Sequence, residues 1–389
     1  MDDIFGPAFR INPYPTYDRL RAAPPHWYEH PGQTGGMWLL TRYEDVSAIL
    51  KSPHITKNPN HFRPASTASV LDQHMLAKDP PDHGRLRSLA SRAFTAERVG
   101  ALEERVRQIA AQLAEAAAPA GGMEFMSSFA SALPAIVMSE LLGVPSGDRA
   151  RFQQMSSAIL NGFDASSSHA QAQREAVVAL ARYFAALLDS RRRHPRDDLL
   201  SALVHAHDAQ DRLSENELLA LCMLLLVAGH ETTVNLLGNG LHALLHHPSQ
   251  LAMLKRDLDL LPSAIEEMLR FESPMQRATF RMTTEPIILG RTVIEQGQQV
   301  SAVIGAANRD PAQFPQPEVF DITRQKNRHL AFGQGIHFCL GPVLARMEAR
   351  VAFKVLLEMF PDLRLGGSAP VWNTSNSAVR GLRTLPVLF

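Results

Sequence analysis

Cysteine is nearly missing from this chain: its 389 residues include only Cys222 and Cys339. Two thiols cannot build a disulfide framework, which excludes a stapled secreted scaffold and makes a reducing cytoplasm the expected home. An excess of one charge is missing too, since 39 basic residues meet 39 acidic ones for a formal net charge of zero. That balance gives nucleic acid and anionic membranes nothing to pull on, and neither is expected as a partner. The one segment that calls for a membrane check, Leu218 to Gly229, is almost wholly apolar but meets His230 and Glu231 after twelve residues. A span needs roughly twenty, and a carboxylate at its centre would cost about 2.5 kcal/mol or more in lipid. The segment reads as a buried core helix. The acidic, proline-broken start Met1-Asp2-Asp3-Ile4-Phe5-Gly6-Pro7 carries neither signal-peptide nor anchor character. Internal repeats, low-complexity tracts and a dinucleotide-type glycine triplet after a strand are lacking as well. The histidines, including His205/His207 and His246/His247, show no zinc-like spacing with cysteine or acid.

Present instead is an ordinary globular composition, 45% hydrophobic, with a mostly helical pattern. Helices are expected over 97–118, 127–142, 148–160 and 170–193, over the long stretch Ser214–His246, and over Pro262–Phe271. Asp79-Pro80-Pro81-Asp82 is a helix start, with proline at the opening and acid near the positive end of the dipole. The first third opens as proline-rich coil, with a strand near Met37–Leu40 and a helix from about Tyr43 to Leu50. Residues 52–79 form a long connection of the sort usually kept for function. From Glu285 to Val303 the pattern turns to β, with turns at Gly290 and Gly297. The run Arg191-Arg192-Arg193 reads as the solvated end of a helix.

The most informative stretch is Phe332-Gly333-Gln334-Gly335-Ile336-His337-Phe338-Cys339-Leu340-Gly341, a glycine-punctuated loop that delivers one cysteine to the start of a helix. Leu340, Leu344, Met347, Val351 and Val355 then recur at helical spacing, and Pro342 falls in the first turn, where its missing N–H costs nothing. A cysteine so placed feels the positive end of the helix dipole, which favours thiolate over thiol. This loop, continued by Leu344-Ala345-Arg346 and Glu348, resembles the haem-binding signature of the cytochrome P450 family. Pro342 departs from the small residue common at that position in bacterial members.

The resemblance implies a single domain over residues 1–389, mainly α with a smaller β-rich portion and a long central helix over the haem. Cys339 is then the iron ligand, and Phe332, Gly333 and Ala228 are haem contacts. Asp79-Pro80-Pro81-Asp82-His83-Gly84-Arg85-Leu86-Arg87 matches the segment whose His83 and Arg87 hold a haem propionate. By spacing alone that pair is a solvated basic face. Arg281 and His337 match two further propionate positions. Ala228-Gly229-His230-Glu231-Thr232-Thr233 looks like the oxygen-activation motif, in which Thr232 donates to dioxygen and Glu231 links the water chain to solvent. A mid-helix glycine costs about 0.5–1 kcal/mol, so something must approach the backbone there. His230 is expected to face away from the haem. Glu267 and Arg270, by spacing an ordinary exposed pair, match a buried family pair that Arg324 would close into a three-way network.

The implied activity is oxygen insertion into a mostly apolar small molecule by a cytoplasmic monomer holding haem b. Electrons from NAD(P)H would arrive through a ferredoxin and its reductase, or a flavodoxin-type donor, because one spare cysteine cannot ligate a cluster. Arg346 and Arg92 are candidates for the docking face. A peroxygenase and a non-oxidising haem carrier stay open as alternatives, with Glu231 and Thr232 weighing against the first.

Overall fold

The computed structural model describes residues 4, 6–29, 35–61, 69–161, 167–208 and 213–389. Its centre is the helix Glu215–His246, which opens on a capping box in which Ser214 and Glu217 each accept the other's backbone N–H. Such a reciprocal cap fixes where the helix begins. Its length and composition alone would allow a membrane span. Most of its side chains from Leu218 to Leu244 are instead buried against other helices, which is how a core helix passes that test. Around it pack Ala132–Leu141, Arg149–Asn161, Ser167–Arg193, Leu261–Phe271 and the cysteine helix Pro342–Met359. These share one large apolar core with Glu103–Ala117.

A five-stranded sheet stands to one side, in the spatial order His26–Glu29, Gly36–Leu40, Gln299–Ala302, Met282–Thr283, Ile55–Thr56. The parallel pairing of Gly36–Leu40 with Gln299–Ala302 ties the first fifth of the chain to its last third. A second, smaller core fills the space between the sheet and the helix Tyr43–Lys51. The cysteine loop lies where the two cores meet: Leu330 belongs to the smaller one, while Phe332 and Leu340 pack on the larger.

Several expectations need correction. The helix foreseen over 97–118 is two helices, Ala96–Ala101 and Glu103–Ala117, hinged at Leu102. The one foreseen from 127 begins as a π-helical turn, Met126–Ala130, ahead of Ala132–Leu141. The opening coil contains the helices Pro7–Ile11 and Tyr14–Ala22 and a strand. Arg191 is not solvated: it is 3% exposed, with Nε donating to Asp198 at 2.6 Å and Nη2 to the carbonyl of Gly143.

Candidate active site

The cysteine loop turns on two glycines in the left-handed region, Gly333 at φ 71° and Gly335 at φ 73°. Gly335 has a second reason to lack a side chain, because a Cβ there would come within 2.5 Å of the Leu50 carbonyl. Ser47 Oγ donates to Gln334 Oε1 at 2.7 Å, and the Cys339 N–H closes the loop onto Phe332 O at 2.9 Å. The cysteine helix then starts at Pro342 with Gly341 as its cap, as the spacing suggests. Burial pushes the Cys339 thiol up, against a hydrogen bond from the Gly341 backbone and the nearby charges of Arg87 and Arg346. The donors expected at a helix start are therefore there, but desolvation outweighs them for the bare sulfur.

Two ion-pair systems hold this loop from behind. Glu267 and Arg270, both fully buried, meet at 2.7 and 2.8 Å, and Arg324 Nε reaches the same carboxylate at 3.1 Å. Arg270 also donates to the carbonyls of Asn308, Pro317 and Val319, and Arg324 to those of Pro315, Gln316 and Val319. The network pins the coil that leads into the loop. The second system was not foreseen. Arg346 grips Glu266 with two bonds of 2.7 and 2.8 Å while its guanidinium sits 4.6 Å from the centre of the Phe332 ring. Those bonds and a third from His329 hold the Glu266 carboxyl down at about 2, against its burial. Arg346 is thus a brace of the loop, with 39% of its side chain exposed. The side chain of Arg92 lies outside the described residues.

Cations converge on one buried region with almost no acid among them. His83 is 3% exposed and Arg281 4% exposed, and the rings of His83 and His337 meet edge-on with centroids 4.3 Å apart. Burial, followed by the charges of Lys57, His83, Arg281 and Arg87, pulls His337 down to about 2. Burial alone pulls Arg281 down to about 10. His83 is lowered by burial and by Arg87 and Lys57. Among the described residues His83 Nε2 has no partner, and Arg281 Nη1 donates to the Thr279 carbonyl. Lys57 was not singled out in the sequence, where it sits in a proline-rich stretch. A cluster of this kind is costly unless an anion enters it. The two carboxylates of a haem fit that demand, and the Cys339 thiol on its loop fits the iron.

On the central helix, the expected oxygen-activation segment has its own local geometry. Residues 221–227 are buried, yet Ala228 is exposed, so the helix borders an opening at that point. Thr232 Oγ1 donates to the Ala228 carbonyl at 3.1 Å and Thr233 Oγ1 to that of Gly229 at 3.5 Å. Glu231 keeps 24% of its side chain exposed. His230 is buried beside Ser156 of the helix Arg149–Asn161, 3.3 Å from its hydroxyl. The close approach expected at Gly229 comes from Met138, whose methyl would lie 2.8 Å from a Cβ there. That glycine serves helix packing. The family resemblance places a substrate cavity among the 62–79 loop, the residues around Ile159–Phe163, Leu225–Thr232, Met275–Phe280 and Asn376–Ala378; of these, residues 62–68 and 162–163 lie outside the described residues. Within Met275–Phe280 the one charged side chain, Arg277, donates to the Ser377 hydroxyl.

Comparison with known proteins gives this arrangement its context. The family model described as Cytochrome P450 matches residues 10–364. The chain is 46% identical over 389 residues to cytochrome P450 monooxygenase PikC of Streptomyces venezuelae, covering 98% of this chain and 92% of that protein. The cytochrome P450 PksS of the Bacillus subtilis bacillaene polyketide synthase superposes with a TM-score of 0.93 at 41% identity, covering 100% of this chain and 99% of the other. P450BioI, solved in complex with an acyl carrier protein ligated with hexadec-9Z-enoic acid, superposes at 0.92 with 38% identity, covering 98% and 99%. Likeness of that depth along nearly the whole length makes this chain a member of the cytochrome P450 family, oxidoreductases that hold haem b and act as monooxygenases.

Proposed function

We propose that this chain inserts one atom of dioxygen into a mostly apolar small molecule by hydroxylation or epoxidation, releasing the other atom as water. Two protons and two electrons balance that reaction. The electrons come from NAD(P)H through a separate ferredoxin and its reductase, or a flavodoxin-type donor. The observation that carries the reading is the combination of the Cys339 thiol, held on its glycine loop, with an acid-poor buried cluster of cations. Bound haem supplies the iron at which dioxygen is activated. Cys339 would be its sulfur ligand, a donor that favours O–O cleavage. His83, Arg87, Arg281 and His337 would hold the carboxylates, and arginine's fork suits that task. Phe332 and Gly333 would cover the sulfur side, and Ala228 would leave room on the other.

The remaining chemistry is proton supply. The Thr232 hydroxyl, anchored to the carbonyl one turn back, can hold an ordered water. Glu231, partly exposed beside it, can pass protons inward from solvent. For the substrate, an apolar chain or macrocycle of the polyketide or fatty-acyl kind is favoured by the buried apolar run Leu225–Val227 on the central helix and by the relatives' own pathways and ligands. The compartment is the cytoplasm, in keeping with two unpaired thiols.

One spectrum tests the core of this reading. Reduced protein under carbon monoxide should show the red-shifted absorption of thiolate ligation, and Cys339→Ser should abolish it. An unshifted band in the unaltered chain would overturn the assignment.

A further inference from the structure

Lys57 follows the strand Ile55–Thr56, which pairs antiparallel with Met282–Thr283 in the register Ile55 to Thr283 and Thr56 to Met282. Continued by one residue, that register sets Lys57 across from Arg281. Like charges directly opposite on neighbouring strands repel, and both residues are buried, at 6% and 4% exposure. The Lys57 nitrogen itself is shut off from solvent and has no hydrogen-bond partner among the described residues, so the side chain is not snorkelling to water. The acid that acts on it, Asp79, is spent elsewhere: its carboxylate accepts from the Thr56 hydroxyl and, at 3.0 Å, from the backbone N–H of Lys57. Arg281, His74, His83 and His337 lie near enough to feel its charge and bring charge of the same sign or none, and Arg87 acts on the same two histidines His83 and His337. Two cations forced together by strand pairing, one of them with an idle donor, need an anion between them.

We infer that Lys57 is a fifth donor to the haem carboxylates, placed beside Arg281 by the sheet. The inference rests on the haem reading above. An ammonium hydrogen-bonded to a carboxylate in a dry site is a strong contact, and losing it should loosen the cofactor without touching the sulfur ligand.

The experiment compares the unaltered holoprotein with Lys57→Met and Lys57→Arg, each loaded with haem or with haem dimethyl ester, whose carboxylates are neutral. Release is read as transfer of the porphyrin to apomyoglobin. With haem, Lys57→Met should release about ten- to a hundredfold faster than the unaltered protein, and Lys57→Arg should stay close to it. With the dimethyl ester the three rates should converge. Equal release of haem by Lys57→Met and the unaltered protein would overturn the inference, as would an acceleration that is the same for haem and ester. If Lys57→Met fails to hold either porphyrin, Lys57→Arg decides: near-normal retention of haem supports the charge role, and fast release of both forms refutes it. An unaltered chain that takes up haem but shows unshifted carbonyl absorption would sink the thiolate reading while leaving this contact to stand on its release rates.

Discussion

Glu348 lies on the cysteine helix with no exposed surface, and neither of its carboxylate oxygens has a hydrogen-bond partner among the described residues. Burial pushes its carboxyl from the ordinary 4.5 up to about 8. The folded protein therefore keeps a proton there that the unfolded chain gives up. Between those two values the native state binds more protons than the unfolded state, so stability falls as pH rises across that window and is flat below it. Glu348→Gln has no proton to lose. It should resemble the unaltered protein near pH 5 and be the more stable of the two near pH 8. Urea midpoints at both pH values check this, and parallel pH dependence in the two proteins would contradict it. The same residue shows why buried chemistry escapes a linear reading. In sequence Glu348 closes the signature without any sign of its burial, and only its surroundings in the fold deprive it of water.

At the scale of the element, the Leu261–Phe271 helix carries the clamp on the cysteine loop. Removing one partner of a buried pair strands the other charge, at a cost of about 3–5 kcal/mol. Glu267→Ala strands both Arg270 and Arg324 and frees the Asp321 and Asn327 donors as well. Thermal melting should show a loss of that order, with haem content falling in step. A variant that melts normally and holds a full complement of haem would show the clamp to be dispensable. Three residues apart on a helix, Glu267 and Arg270 look like a surface pair, and only the resemblance to a family pointed to their burial. The central helix was legible from its apolar pattern, and its Ser214/Glu217 cap was a local signal open to reading. The helices Leu199–Asp208 and Pro248–Arg256 went unread although both sit in the chain as ordinary helical sequence. Pairings such as Gly122–Glu124 with Pro386–Leu388 join segments more than two hundred residues apart, and nothing local specifies that register. Lys57 belongs to the same class: its partner Arg281 is set by a strand pairing that the chain does not advertise.

For the whole molecule, the cysteine loop and the cationic cluster are the places where the helical mass meets the sheet. Gly335 presses on the end of the helix Tyr43–Lys51, Ser47 holds Gln334, and Leu330 inserts into the sheet-side core. Lys57 and Arg281 come from the sheet, whereas His83 and Arg87 come from the helix Asp82–Ala93. A dianionic cofactor would contact both sides at once, cancelling repulsion that the bare cluster suffers. Binding to the native state alone stabilises it by mass action, and here the gain should concentrate at this seam, because that is where buried charge is left uncompensated. Haem-stripped protein should therefore melt at lower temperature than the holoprotein. Its amides should exchange with solvent fastest, relative to holoprotein, in three places: residues 52–58, residues 278–284 and the 330–341 loop. The buried middle of the central helix should change least, since residues 234–244 there pack among apolar side chains of the large core. Hydrogen exchange with and without haem separates this from its alternative. Uniform loosening across the molecule would mean that haem stabilises the fold as a whole, with no special burden on the seam between its two cores.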